Sequence, residues 1–324
     1  MSHNVYFFNG RRRPISLNSV VAYFSDRAYW SVDADAAQVA YLNSDTHVSF
    51  VARIRESGAS NACLEIPKPS VAFQVNYFRP PFFGDEAAIE LSAFREFFDP
   101  EFVDPQAGVL SSNDTITYFS NGFLSHYRVG NAKAYVTIIE RLREEGGAIP
   151  PCVAETKLMD AWRWNRLRKP SLEKYFRDSG QDVCVASSIW ATIPEEGGRP
   201  LCVATWTDGA RAAIPTFVDR IILIADGIRR RRRGISSLLF RSNSEATMCM
   251  VHVDDVAGLN CASAKTHDNA PYIFVDSDVS DPPREVIDLY RRPQPPLSES
   301  FQVTPSDEIL SADLMAEARS NAKR

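Results

Sequence analysis

Val71-Ala-Phe-Gln-Val-Asn-Tyr-Phe78 runs into Arg79-Pro80-Pro81, and then into Phe82-Phe83-Gly84-Asp85-Glu86-Ala-Ala-Ile-Glu90-Leu-Ser-Ala-Phe94-Arg-Glu-Phe-Phe98. The first stretch is rich in strand formers, and the prolines stop it because neither can donate a ladder hydrogen bond. From Gly84 to Phe97 the spacing predicts a helix, with Ala88, Leu91, Phe94 and Phe98 on one face. Glu86, Glu90, Arg95 and Glu96 fall mostly on the other. A strand that feeds directly into an amphipathic helix is the working unit of a sheet with helices packed against one face.

The pattern repeats on either side. Towards the N-terminus, Val48, Phe50 and Ala52 alternate within a strand at His47–Ile54, preceded by strand-like runs at Ala28–Val32 and Ala36–Leu42. Leu17 to Asp26 has helical spacing, and Val5–Phe8 reads as a short strand closed by the turn dipeptide Asn9-Gly10. Towards the C-terminus, Asn131 to Glu145 carries the stripe Ala132, Tyr135, Val136, Ile139 and Leu142. Gly146-Gly147 and Pro150-Pro151 then mark a domain boundary, since glycine ends a helix and proline cannot continue one. Beyond it lie a helix at Glu155–Arg168 and strands at Val183–Ile193, Leu201–Trp206, Val218–Ala225, Thr247–Val253 and Tyr272–Val275.

These elements predict an α+β protein of two domains, residues 1–147 and a strand-rich 148–292. Each is expected to hold a mixed or mainly antiparallel sheet with helices on one face. A Pro-rich linker at 293–303 leads to a C-terminal helix at 304–324, with Thr304-Pro305-Ser306-Asp307 supplying its start signal.

The composition is that of a globular chain: 324 residues, 44% hydrophobic, 24% charged, net charge −5. A mildly acidic chain has no general affinity for phosphate backbones or anionic membranes. The apolar run Ile221–Ala225 is too short to span a bilayer, and Met1-Ser2-His3-Asn4-Val5 lacks the grammar of a secretory signal. Six scattered cysteines without a CxxC pair fit a reducing compartment. The expectation is a cytoplasmic protein with no membrane partner.

Few motifs carry chemistry. Cys249, His252, Cys261 and His267 have roughly the spacing of zinc ligands, but a strand at Thr247–Val253 would point Cys249 and His252 to opposite faces. Asp276 and Asp278 end a hydrophobic strand in the D-x-D arrangement that holds Mg²⁺ or Mn²⁺ in some enzymes. Only a linker and one helix follow, and an acidic turn before Asp281-Pro282-Pro283 is the simpler reading. Arg229, Arg230, Arg231, Arg232 and Arg233 form a basic run, joined in composition by Arg11-Arg12-Arg13 and by Trp162-Arg163-Trp164-Asn165-Arg166-Leu167-Arg168-Lys169. Converging in space, they would make a phosphate-binding face; apart, they are solvated surface. No nucleophile elbow, phosphate loop or H-E-x-x-H helix occurs, and His267-Asp268-Asn269 reads as a polar turn.

The remaining candidate surface is Arg79, Phe82 and Phe83, where aromatic and Arg side chains either form a recognition site or plug the end of a core. The reading that follows is a non-catalytic protein-binding protein without a cofactor. Bacterial immunity proteins, which neutralise a toxin by occluding it, exemplify the class, since an acidic inhibitor complements a basic toxin. The alternative is a nucleic-acid-binding protein or a metal-dependent nuclease, using the basic patch with Asp276 and Asp278.

Overall fold

A computed structural model describes residues 1–55, 70–110, 118–192, 199–207, 209–225, 247–291 and 302–321. The chain divides into two compact units, Met1–Glu155 with Asp307–Arg324, and Thr156–Ser306.

Unit 1 is built on a seven-stranded sheet of β1 (Ser2–Phe8), β2 (Trp30–Asp33), β3 (Gln38–Leu42), β4 (Ser49–Arg55), β5 (Ser70–Asn76), β6 (Glu101–Asp104) and β7 (Val109–Leu110). The order is β2-β3-β4-β5-β1-β6-β7, and every pairing is antiparallel. Register places Val5, Phe7, Val39, Tyr41, Phe50, Ala52, Phe73 and Phe102 on one buried face. Helices α1 (Leu17–Ser25) and α2 (Phe82–Phe98) cover it. Phe24, Phe73 and Phe7 all meet Phe94 of α2, with ring centroids 5.2–5.8 Å apart. Aromatic pairs at such separations add to the burial of their area. A π-helical turn (Tyr118–Gly122) leads into α3 (Phe123–Glu144), and β8 (Cys152–Val153) follows.

The expected polar face of α2 needs correcting. Glu86 and Glu90 point inward with 0% and 4% exposure, because neighbouring elements bring hydrogen-bond donors to both.

Unit 2 opens with one helical stretch: α4 (Glu155–Arg163), a π-helical turn (Trp164–Arg168) and α5 (Lys169–Asp178). Side chains seat the turn. The Asn165 carboxamide accepts from Ser188 N (3.0 Å) and donates to Ser188 O (2.7 Å), while the Trp164 indole donates to Ala186 O (2.7 Å). The strands are β9 (Cys184–Val185), β10 (Ser188–Thr192), β11 (Pro200–Thr207), β12 (Ala212–Pro215), β13 (Arg220–Ala225), β14 (Thr247–His252), β15 (Ala262–His267), β16 (Ala270–Val275) and β17 (Gln302–Val303). Helices α6 (Val253–Ala257) and α7 (Arg284–Arg291) flank the β15–β16 hairpin. One sheet runs β14-β13-β11-β10-β17 and the other β15-β16-β12-β9; among the described residues of these sheets only β11–β13 and β9–β12 pair in parallel. Leu172 and Phe176 of α5 pack with Trp164 on Val185, Ala213, Tyr272 and Phe274 of the second sheet. The protein is α+β, with mostly antiparallel strands.

The C-terminal segment returns to unit 1 and starts differently from its sequence signal. Ser306–Glu308 makes one 3₁₀ turn, β18 (Leu310–Ser311) pairs with β8, and only then does α8 (Ala312–Asn321) begin. The apolar Ile309-Leu310 gains more from burial beside β8 than from an earlier helix start. Leu310, Leu314, Met315 and Ala318 pack on Ala132, Tyr135 and Ile139 of α3.

Candidate functional site

Two polar clusters in unit 1 have the residue types of active sites. His3 and Asp104 share the inner face of the sheet, both with 0% exposure, and His3 Nε2 lies 2.6 Å from Asp104 Oδ2. His3 Nδ1 lies 3.0 Å from the Tyr77 hydroxyl, and Tyr118 donates to Asp104 at 2.6 Å. Burial alone would raise the Asp104 pKa. The hydrogen bond and charge of His3, with Tyr118 and the Ala107 N–H, outweigh it and hold Asp104 below its usual 3.8. Tyr77 is pushed up to about 12, chiefly by burial and then by Asp104. Three helix glycines make room for the rings: a Cβ at Gly84 would stand 2.6 Å from Tyr127, at Gly122 2.7 Å from Tyr118, and at Gly130 2.3 Å from the Tyr77 hydroxyl. Both imidazole nitrogens are engaged and the pair is sealed, so this network holds the fold and offers no atom to a substrate.

The second cluster hangs from α2. Glu86 accepts from Tyr41 (2.6 Å), Asn43 (2.6 Å) and Thr46 (2.9 Å), and Glu90 accepts from Arg27 (2.7 Å) and Trp30 (3.0 Å). Its carboxylates too are closed off and paired, although the buried Arg27 Nε has no hydrogen-bond partner among the described residues.

Unit 2 offers a Ser–His–Asp grouping on its surface. Ser171 Oγ lies 3.2 Å from His267 Nε2, and Asp268 reaches the same nitrogen at 3.3 Å while also accepting from Ser171 at 3.0 Å. A nucleophilic triad needs the acid on the other ring nitrogen, so that the free one can take the serine proton. Here serine and acid compete for one nitrogen. The grouping tacks α5 to the hairpin turn at Asp268-Asn269, aided by Arg168 on Asp268 O.

The residues singled out from sequence are scattered. Phe82 and Phe83 are 1% and 0% exposed, so they plug the core. Arg79 lies across Phe83 at 5.8 Å and binds Asp307 through its backbone oxygen (3.2 Å) and carboxylate (3.5 Å). Trp162 and Trp164 are 6% and 2% exposed, which leaves no ring for a base to stack on. Arg229, Arg230, Arg231, Arg232 and Arg233 lie outside the described residues. Asp276 is held by Arg211 (Nε 2.8 Å, Nη2 2.7 Å), and Asp278 caps Ser280 through its N–H (2.6 Å) and hydroxyl (2.5 Å). His252 caps α6, and Cys249 is buried on β14. The Cys261 thiol is pushed up to about 11, first by burial and then by Glu285, the reverse of what a nucleophile needs. Among the described residues no group of three or more His, Cys, Asp or Glu could hold a metal.

What the fold does gather is charge. Antiparallel register sets Ala262 at the start of β15 beside Val275 at the end of β16. Helix α6 therefore enters, and residues 276–283 leave, at the same open end of the hairpin. Glu285 of α7 fastens that end by accepting from Asn260 N (3.0 Å), Asn260 Nδ2 (2.8 Å) and Cys261 N (2.8 Å). Asp276, Asp278, Asp281 and Glu285 thus collect there, with Arg211 on Asp276, while α6, which leads in, carries Asp254 and Asp255, and α7 carries Asp288, 3.8 Å from Arg284. Ser277 turns inward at 3% exposure, leaving Asp276 and Asp278 outside and Val279 39% exposed among the acids. Sequence reading saw the carboxylates of 276–281 but not those of α6 and α7, which only the hairpin register brings beside them. No protein-family model, curated protein or solved structure matches this chain.

Proposed function

We propose that this chain is a non-catalytic binding protein that engages a basic protein partner through the acidic end of the β15–β16 hairpin. Immunity proteins that neutralise bacterial toxins in the cytoplasm are the class this reading fits. The observation that carries it is the run of exposed carboxylates Asp276, Asp278 and Asp281 on either side of the exposed Val279, among the described residues. Complementary charge steers encounter and rejects wrong partners, and an apolar residue within a charged rim supplies an anchor. The engagement of Asp276 with Arg211 and of Asp278 with Ser280 also favours a binding surface over a metal centre.

The test is capture from a lysate of the native host, with and without nuclease, by the tagged protein and by an Asp254→Lys, Asp278→Lys, Asp281→Lys variant. A basic protein retained by the wild type through nuclease treatment and lost by the variant supports the reading. Equal capture by both, or a partner released by nuclease, overturns it.

A further inference from the structure

A second surface lies on unit 1, where α3 and α8 run side by side and leave a groove of about 560 Å³ between them. Its α3 wall carries Val129, Ala132, Lys133 and Val136, the i, i+3, i+4, i+7 stripe by which one helix receives another. Ala132 and, from α8, Ala318 keep the floor shallow in side chain, which lets a backbone approach closely. Val129 stands 52% exposed at the rim.

The charges at this groove are uneven. Glu317 is matched at 3.2 Å by Arg128, which also holds Glu155 at 2.6 Å. Lys133 is exposed in the middle of the stripe and enters no ion pair among the described residues. An apolar helix laid here would bury part of an uncompensated ammonium, whereas one carrying a carboxylate opposite Lys133 would neutralise it.

We propose that the α3–α8 groove is a docking site for an amphipathic helix of a partner protein whose apolar stripe carries one Asp or Glu facing Lys133. The site is separate from the acidic end of unit 2 and stands or falls independently of it.

The experiment is a display selection on the full-length protein with helical peptides of roughly 18 residues, long enough to hold a few turns. Their apolar positions follow i, i+3, i+4, i+7, and one position within the stripe is randomised. Both variant residues, Val129 and Lys133, are exposed, so Val129→Glu and Lys133→Glu should fold. Selection on the wild type should enrich Asp or Glu. The selected peptides should lose about tenfold in affinity on either variant, the size of a single anchor contact. Selection on Lys133→Glu should instead enrich Lys or Arg. Absence of acidic enrichment, or peptides that bind both variants as tightly as the wild type, overturns the proposal. So does sedimentation showing a dimer that Val129→Glu abolishes, since the occupant would then be a second copy.

Discussion

Asn131 in unit 1 and Asn165 in unit 2 perform the same task. Each is a buried carboxamide on a helix that grips the backbone at the end of a strand. Asn131 accepts from Phe78 N (2.7 Å) and Arg79 N (3.3 Å) and donates to Arg79 O (2.7 Å). Asn165 holds both backbone groups of Ser188. The surroundings differ. Asn131 secures Phe78 at φ +61°, a left-handed conformation unfavourable for a bulky residue, whereas Asn165 completes an ordinary strand start. Unit 1 also encloses Glu86, Glu90 and the His3–Asp104 pair, while among the described residues the buried polar side chains of unit 2 are the neutral Asn165, Ser188, Ser277 and Ser306. Buried charge costs more to desolvate and is lost more abruptly when a partner goes. Unit 1 is therefore the half more sensitive to single polar substitutions.

That contrast can be broken in steps. Glu86→Ala strands three buried donors at once and should destabilise unit 1 by roughly 3–5 kcal/mol, given about 1–3 kcal/mol per unsatisfied group and partial relaxation. Trp30 is the tryptophan of unit 1, and Trp162, Trp164, Trp190 and Trp206 belong to unit 2. Urea titrations of variants retaining tryptophans in one unit only would show whether the loss stays in unit 1. Asn131→Ala comes next, at about 2–4 kcal/mol, because it removes three bonds and frees a strained residue. Asn165→Ala should cost unit 2 less, about 1–3 kcal/mol. If the two asparagine variants prove equal under the same titration, the strain at Phe78 contributes nothing.

The pH dependence sharpens the comparison further. Asp104 is held below 3.8 in the folded protein, so its contribution is fully present above that value and is lost as the pH falls below about 4. Unit 1 should weaken there, and Asp104→Asn should flatten the slope in acid titrations followed by Trp30 fluorescence. The smallest effect belongs to the acidic end of unit 2. Asp281→Lys, at an exposed position, should change stability by no more than about 0.5 kcal/mol, as for exposed sites generally, and should act on binding alone.

Much of the architecture could be read locally. The strand–proline–helix succession at 71–98 fixed the covering of the sheet, and alternation at 48–54 found its inner face. The inward turn of Glu86 and Glu90 was equally present in the spacing, since Phe94 and Phe98 continue the same i, i+4 line. It was hidden because their donors, Tyr41, Asn43, Thr46, Arg27 and Trp30, sit at least forty residues away along the chain. His3 shares the phase of Val5 and Phe7, a signal that its place at the chain start obscured. The α3–α8 groove could not be foreseen, as it depends on which unit the C-terminal segment rejoins.

That return sets a timetable for biosynthesis. The whole of Thr156–Ser306 must leave the ribosome before the residues that cover Tyr135 and Ile139 exist. Until then nascent unit 1 carries an open apolar seam on α3, while unit 2 is already free to close. A premature stop shortly before residue 310 would thus injure the first half of the translated chain, not the half next to the break.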